Sequence, residues 1–314
     1  MKEDARPFVL GEYDLISHLP DEIQGQTITH LPINGHHSVE LRGAPARSST
    51  HIHPVRFARL LNLANGYAYG GGMGMPEWVM LDCALLPAFF SGWMTPVHAL
   101  PPSVRSQVDL ELSRQEDARS SLRAQVEAQQ GVETGALRDE EWFPTSEFCA
   151  IPRLTDPLKA GEVVGYSLYS LLSGLGVRAK SLGLWLASHR GISRQVGVAQ
   201  WSNVAAIKSH LRFGHLEVID PLTPLHTKAG ETMIYRLALP DRNALEEMAM
   251  GQARRYDSLD DPKKSHTEDS SSRWVCAHDL DELMRVRRSD DRFLLCDLRR
   301  VSEQTELLLK RVPR

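Results

Sequence analysis

Two closely spaced glycines, Gly174 and Gly176, are the residues whose types and spacing are best suited to chemistry. A glycine has no Cβ, so its backbone can approach a ligand closely and can adopt positive φ. The first N–H groups of a helix have no acceptor within the helix and carry partial positive charge. If a helix follows the glycines, the pair predicts a turn that can hold a phosphate or another anion.

The elements around this turn follow from the apolar spacing. A helix is predicted over 179–190, because apolar residues recur at helical spacing and Gly191 follows as a stop. The segment 195–201 predicts a short buried strand. Asn203 can then cap a second helix, since its side chain can accept a hydrogen bond from the first turn. This second helix would carry Ala206, Ile207, His210 and Leu211.

This order of elements resembles the acyl-coenzyme A binding half of the GCN5-related N-acetyltransferase superfamily, over residues 174–214. In that family a strand leads into a glycine-rich loop, whose backbone amides hold pyrophosphate at a helix N-terminus, and a second strand and helix follow. The resemblance implies an acyl-CoA donor substrate and an amine acceptor. The donor-binding residues that it implies are Gly174, Gly176, Val177, Arg178 and Asn203.

The resemblance also implies catalytic roles. In the family a strand amide polarises the thioester carbonyl, a base deprotonates the amine, and an acid protonates the leaving thiolate. His210 stands where a Tyr is common, and its unperturbed pKa of about 6.5 suits proton donation. For the base we prefer Glu147 to Asp82. A structural role stays open for each of these three residues.

Three residues depart from the family pattern. Leu171 stands where Gln or Arg is usual, His210 replaces the Tyr, and His215 follows Gly214 in place of Phe. The first two departures favour a second hypothesis, a catalytically inactive acyltransferase-like domain that serves as a binding or assembly module. A third hypothesis is a hot-dog-fold enzyme acting on acyl thioesters, although its long central helix is hard to place in this chain.

A second register of the glycine loop is also open. It takes 147–154 as the strand, 159–165 as the loop and 166–172 as the helix. The distance to Asn203 is then about a dozen residues longer than the family has, so we prefer the register at Gly174 and Gly176.

Other residue groups are weaker candidates for chemistry. The glycine-rich cluster at 70–74 lacks the Gly-Lys-Ser/Thr ending of a phosphate loop. Two interpretations stay open: a flexible loop near a substrate cleft and a plain connection between elements. The four cysteines lie far apart and predict reduced, mostly buried thiols. The histidines at 36, 37, 51 and 53 lack a third ligand at metal-site spacing, so no metal is expected.

Composition excludes some partners. The chain has 314 residues with 36 basic and 40 acidic side chains, and its net charge of −4 favours neither nucleic acid nor an anionic membrane surface. No apolar run reaches the length of a membrane span, and the charged start lacks a signal-peptide core. We therefore expect a cytoplasmic protein, and a homo-oligomer stays open.

These patterns predict an α/β fold, and the resemblance implies a mixed central sheet of the acyl-CoA N-acyltransferase type. The N-terminal half, 1–100, is enlarged, which would suit a bulky acyl chain or acceptor. The other predicted parts are an inserted charged helix within 101–141, the acyl-CoA-binding half over 142–253, a linker over 254–273 and a C-terminal appendage over 274–314. Further predicted elements are strands at 26–33, 78–86, 148–151 and 232–239, a helix from Pro54, and a mostly solvated helix at 109–130.

Overall fold

A computed structural model describes most of the chain and divides it into two compact units. The first unit comprises Met1–Ile151 and Ser167–Leu186, and the second comprises Pro152–Tyr166 and Ala187–Arg314. The described residues are 5–10, 15, 17–24, 28–30, 39–41, 51–52, 54–69, 89–117, 125, 129, 137–152, 161–219, 232–252 and 271–312.

The described part of the first unit combines strands of two sheets with α-helices. Its strands are β1 (Arg6–Leu10), β2 (Ile28–His30), β3 (Val39–Leu41), β4 (His51–Ile52), β5 (Phe89–Pro96), β6 (Trp142–Pro152) and the end of β7 (Glu162–Ser170). Its helices are α1 (Asp21–Gln24), α2 (Pro54–Tyr69), α3 (Pro102–Asp117) and all but the last turn of α4 (Leu175–His189).

The main sheet of this unit has the order β1-β5-β6-β7, and helices lie on both of its faces. On one face, Phe8 packs edge-on against Phe57 of α2, with ring centroids 5.4 Å apart. On the other, the Ser91 hydroxyl donates to the backbone oxygen of Ala179 in α4. Because successive strand residues point to opposite faces, the residues of β5 lie alternately on the side of α2 and on the side of α4.

Helix α3 extends further toward the N-terminus than the mostly solvated helix predicted at 109–130. It begins earlier, at Pro102, and buries Val104, Val108 and Leu112 in a cluster with Leu60 of α2. These three side chains recur every fourth residue, so they form one apolar stripe although the helix is polar on average. The helix predicted at 109–130 is confirmed as far as Asp117, where most of the described side chains are exposed as expected, and the apolar stripe lies mainly before residue 109.

The second unit is a mixed sheet with helices. Its order is β7-β8-β10-β9-β12-β13-β11. The pair β7 and β8 is parallel, from Glu162 opposite Arg194 to Val164 opposite Val196, whereas the other pairs are antiparallel. The new strands are β8 (Arg194–Gln200), β9 (Leu216–Ile219), β10 (Thr232–Ala238), β11 (Ser272–Cys276), β12 (Arg292–Val301) and β13 (Gln304–Val312). The predicted α/β class with a mixed sheet is confirmed.

Each helix that begins within the described part of the second unit begins at a side-chain cap. These helices are α5 (Val204–Leu211), α6 (Arg242–Ala249) and α7 (Leu280–Arg288). Asn203, Asp241 and Asp279 each accept a hydrogen bond from the first turn of the helix that follows. Such caps satisfy backbone donors that have no partner inside the helix. The predicted Asn203 cap is confirmed.

Several predicted elements can be compared with the structure. The helix at Pro54 and the strands at 195–201 and 232–239 are confirmed, and the helix predicted from residue 179 begins at Leu175. The alternative loop register is wrong, since 166–170 belong to a strand rather than a helix. The strand at 78–86, the glycines at 70–74, Asp82 and most of the linker lie outside the described residues.

The structure describes three of the four cysteines and allows each described helix to be compared with a membrane span. Cys149 and Cys296 are buried free thiols, and Cys276 is a free, partly buried thiol. Burial raises the pKa of Cys296 to about 11, so this thiol stays protonated near neutral pH and is a poor nucleophile. Every helix that the structure describes is too short or too polar to cross a lipid bilayer.

Candidate functional site

The turn between β7 and α4 has the geometry that the glycine spacing predicted. Gly174 has φ +85°, a conformation that glycine adopts more readily than other residues, and α4 begins immediately after it. The Ser170 hydroxyl donates to the backbone oxygen of Leu172, and the Leu175 N–H donates to the same oxygen at 3.3 Å. The chain therefore reverses in four residues and presents the first-turn amides of a four-turn helix.

Gly176 and Arg178 fix the start of α4 against the sheet. A Cβ on Gly176 would lie 3.0 Å from the Cβ of Ser170, which is tighter than an ordinary contact. The Arg178 guanidinium lies over the buried Trp93 ring, 4.6 Å from its centroid. Burial lowers the pKa of Arg178, yet an arginine remains charged near neutral pH. A cation therefore lies within the first helical turn, where the sequence predicted donor binding.

Two buried polar groups lie near this turn without a hydrogen-bond partner among the described residues. They are the indole nitrogen of Trp93 and the hydroxyl of Ser146. The two residues are directly opposite each other on β5 and β6. Because a buried donor without an acceptor is costly, each would be stabilised by an oxygen of a ligand or a water molecule.

Glu147, the predicted base, is completely buried in the first unit. It is opposite Gly92 on β5, where a Cβ would overlap with Phe8, so Glu147 belongs to the α2 side of the sheet. Burial is the main cause that raises the pKa of Tyr169, and the charge of Glu147 raises it further. The carboxylate therefore lies close to a phenol in the core beneath α2.

A second tyrosine, Tyr69, lies at the end of α2 and bonds to β7. Its hydroxyl donates to the backbone oxygen of Leu168 at 2.5 Å and accepts from the Leu168 N–H at 3.3 Å. The Leu171 N–H bonds to Thr145 on β6, so strand alternation places the Leu168 groups on the opposite edge of β7. Tyr69 thus provides a hydrogen-bond partner for the backbone groups of Leu168, on the edge of β7 that faces away from β6.

The pKa of Tyr69 is raised, mainly by desolvation of its hydroxyl and further by the Glu147 charge, although the bond to the Leu168 backbone opposes the shift and the residue as a whole is 42% exposed. Asn65 donates to Ser167, which also bonds to Tyr69. We call Glu147, Asn65, Tyr69, Ser167 and Tyr169 the Glu147 cluster. Both phenols stay protonated near neutral pH, so the carboxylate is the member of this cluster that can accept a proton.

Sequence reasoning missed four members of this cluster: Asn65, Tyr69, Ser167 and Tyr169. Their spacing was the available signal, since polar residues four apart on a helix share a face and residues two apart on a strand share a face. The two pairs are about a hundred residues apart in sequence. Nothing in a single sequence brings them together, because their pairing depends on how α2 packs on β7.

Lys180 was also missed, and it is completely buried in α4. Gly176 and Gly183 pack against β7 and β6 through Ser170 and Phe148, and Lys180 lies between them on the same side of the helix. Burial lowers the pKa of Lys180 well below its usual value of 10.5. The lysine therefore binds a proton more weakly in the folded state than in the unfolded chain.

This difference predicts a pH effect on stability. Between the lowered pKa and about 10.5 the unfolded chain binds more protons, so the free energy of unfolding rises with pH in that window. We expect Lys180→Met to remove part of this rise. Urea titrations at pH 7 and pH 9.5 would measure it, with Lys208→Met, at an exposed residue, as the control. Equal pH slopes for wild type and Lys180→Met would contradict the assignment.

The two predicted residues of the second unit have structural roles. His210 is only 6% exposed and its ring stacks on Tyr235, with centroids 4.9 Å apart. Asn203 is exposed and its side-chain oxygen accepts from the Ala206 N–H at 3.0 Å. The acid role of His210 and the donor-binding role of Asn203 stay predictions.

Comparison with known proteins adds no further assignment. Neither the family models nor the curated proteins that were searched match this chain. Within the described part of the chain, no group of three or more His, Cys, Asp or Glu side chains is placed to hold a metal ion. The turn at Gly174 and the Glu147 cluster are therefore the two features of the molecule that indicate a function.

Proposed function

We propose that this protein transfers an acyl group from a coenzyme A or carrier-protein thioester to an amine. The observation that carries the proposal is the Glu147 cluster, a fully buried carboxylate near two protonated phenols. It belongs to the same unit as the turn at Gly174. A base for an amine and an anion site for a donor are the two components that such a transfer needs.

The order of elements supports the proposal. β7 leads to a turn with positive φ at Gly174, α4 follows, β8 pairs in parallel with β7, and Asn203 caps α5. This is the order in the acyl-CoA binding half of the family that the sequence resembles. The first-turn amides of α4 and the Arg178 guanidinium would bind the donor pyrophosphate.

In the proposed reaction Glu147, which is completely buried, takes a proton from the acceptor amine through an intervening water molecule. The amine nitrogen attacks the thioester carbonyl carbon, a backbone N–H stabilises the oxygen that becomes negative, and the carbon–sulfur bond breaks. The leaving thiolate takes up a proton from water. The products are an amide and a free thiol, so no oxidant or reductant is consumed.

The donor site predicts an effect of Gly176→Val. The added side chain would crowd Ser170 and the first-turn amides, so we expect coenzyme A affinity to fall about tenfold or more, which is the loss of one good charged hydrogen bond. Calorimetry would measure it. Gly183→Ala is the control for disturbed packing of α4, because its Cβ would clash with Phe148 of β6 and lies away from the turn. Equal coenzyme A affinity in wild type and Gly176→Val would exclude this turn as the donor site.

A catalytically inactive binding module is the second candidate function. The burial of His210 against Tyr235 favours it, because a packed ring has less access to a leaving thiolate than an exposed one. The module would bind the same donor but would not accelerate thiol release, since binding alone does not stabilise the transition state.

Thiol release separates the two functions. Wild-type protein would be mixed with short-chain, long-chain and carrier-bound acyl thioesters, each with and without a panel of amines. With a transferase, free thiol is released faster from the complete mixture of protein, thioester and amine than from a mixture that lacks the protein or the amine. Binding of coenzyme A without faster thiol release from any donor would reject the transferase in favour of the module.

A further inference from the structure

A groove in the second unit is lined by charged side chains that have no role in the proposed function. It lies between α7 and the strands β11, β12 and β13, and its volume is about 440 Å³. Three arginines, two carboxylates and three serines line it, above the largely buried Phe293. The charged residues are Arg273, Arg285, Arg311, Glu282 and Asp291.

The carboxylates hold the arginines in place. Glu282 binds Arg273 through one oxygen and Arg285 through the other, both at 2.5 Å. Asp291 binds Arg311 at 2.9 Å. The Glu282 side chain is only 14% exposed, so its position is set by the core of the unit. Each contact engages one terminal nitrogen, whereas a guanidinium carries five N–H donors.

The groove is electropositive although each arginine has a partner. Three arginines against two carboxylates leave one net positive charge. The arginine side chains are half or more exposed, at 50%, 73% and 62% for Arg273, Arg285 and Arg311. Held guanidinium groups that face solvent lose less side-chain freedom when an anion binds than freely moving ones.

We propose that this groove binds the phosphate group of a small phosphorylated ligand. A phosphomonoester has three terminal oxygens and up to two negative charges, which suits three guanidinium forks better than a carboxylate does. A volume of 440 Å³ lies within the usual range of small-ligand sites, about 300 to 1,000 Å³, and exceeds the size of phosphate alone. The ligand therefore carries an organic group attached to its phosphate.

Phenyl phosphate is a suitable probe, and benzoate has the same ring with a carboxylate. Calorimetry should show saturable binding of phenyl phosphate that weakens with added salt, and at least tenfold weaker binding of benzoate. Arg285→Gln and Arg311→Gln should each lower the affinity for phenyl phosphate about tenfold, which corresponds to one charged hydrogen bond. Coenzyme A, which itself carries a phosphomonoester, is a second probe for the source of the phosphate.

Arg299→Gln is the matched control. Arg299 lies on β12 of the same unit, pairs with Glu306 at 2.7 Å and stacks on Trp274, but it does not line the groove. Thermal melts of all variants would verify folding. Unchanged affinity in Arg299→Gln with loss in both groove variants supports the site. Absence of phenyl phosphate binding, equal binding of benzoate, or equal loss in all three variants would overturn it.

This result is independent of acyl transfer, because the calorimetric probes need no turnover. If Arg285→Gln and Arg311→Gln also weaken coenzyme A binding, coenzyme A is the source of the phosphate. If only phenyl phosphate binding falls, another phosphorylated small molecule is the ligand. Gly176→Val tests the donor site separately, since Gly176 belongs to the first unit.

Discussion

Glu147→Gln is expected to lower turnover by about 10²- to 10⁴-fold, the usual contribution of a positioned general base. Glutamine has nearly the same shape but cannot accept a proton from an amine. Coenzyme A affinity should change little, because the proposed donor contacts are at the start of α4. Initial rates of thiol release and calorimetry with coenzyme A would measure the two effects.

Glu111→Gln is the matched control for this variant. Glu111 is also a buried glutamate of the first unit, but its carboxylate bonds to Arg114 and Gln115 on α3. The neighbouring arginine, through its hydrogen bond, lowers the pKa of Glu111, as expected of a structural carboxylate. Full activity in Glu111→Gln is expected. Full activity in Glu147→Gln as well would remove Glu147 from the mechanism.

Gly92→Ala is expected to destabilise the protein by about 3 kcal/mol, at the upper end of the usual cost of overpacking. A Cβ at this position would overlap with the backbone oxygen of Ser146 on the paired strand and with the Phe8 ring, at 2.5 Å. Neither can move without disturbing the β1-β5-β6 pairing that positions Glu147. Urea titration monitored by tryptophan fluorescence would measure the loss.

Gly165→Ala distinguishes this clash from a general effect of replacing a strand glycine. A Cβ on Gly165 would meet the side-chain amide of the buried Gln195, which is the far end of a flexible side chain rather than a paired backbone. The expected change is therefore within about 1 kcal/mol. A similar loss in both variants would show that the Gly92 environment is not the cause.

Local signals predicted the elements around the turn. Gly174 and Gly191, the cap at Asn203 and the proline at the start of α2 each act through backbone conformation or hydrogen bonds within a few residues. The start of α4 was placed four residues late, because Gly176 lowers helix propensity although its packing on Ser170 favours the helix.

Long-range packing limited the prediction of the site. The position of Glu147 in the interior follows from β6 being paired on both sides and covered by α2, which no local pattern reveals. The partners Tyr69 and Ser167 meet across about a hundred residues. The stacking of His210 on Tyr235 likewise depends on how α5 packs on β10, so helical spacing alone could not assign that histidine.

The most direct test of the central claim is to follow the acyl group itself. Isotopically labelled acyl-CoA would be incubated with an amine and either wild type or Glu147→Gln, and the products identified by mass spectrometry. We expect the wild type to place the label on the amine nitrogen, with one thiol released for each amide, and the variant to form little amide. Label recovered only as free acid or unreacted thioester, despite coenzyme A binding, would contradict acyl transfer to an amine.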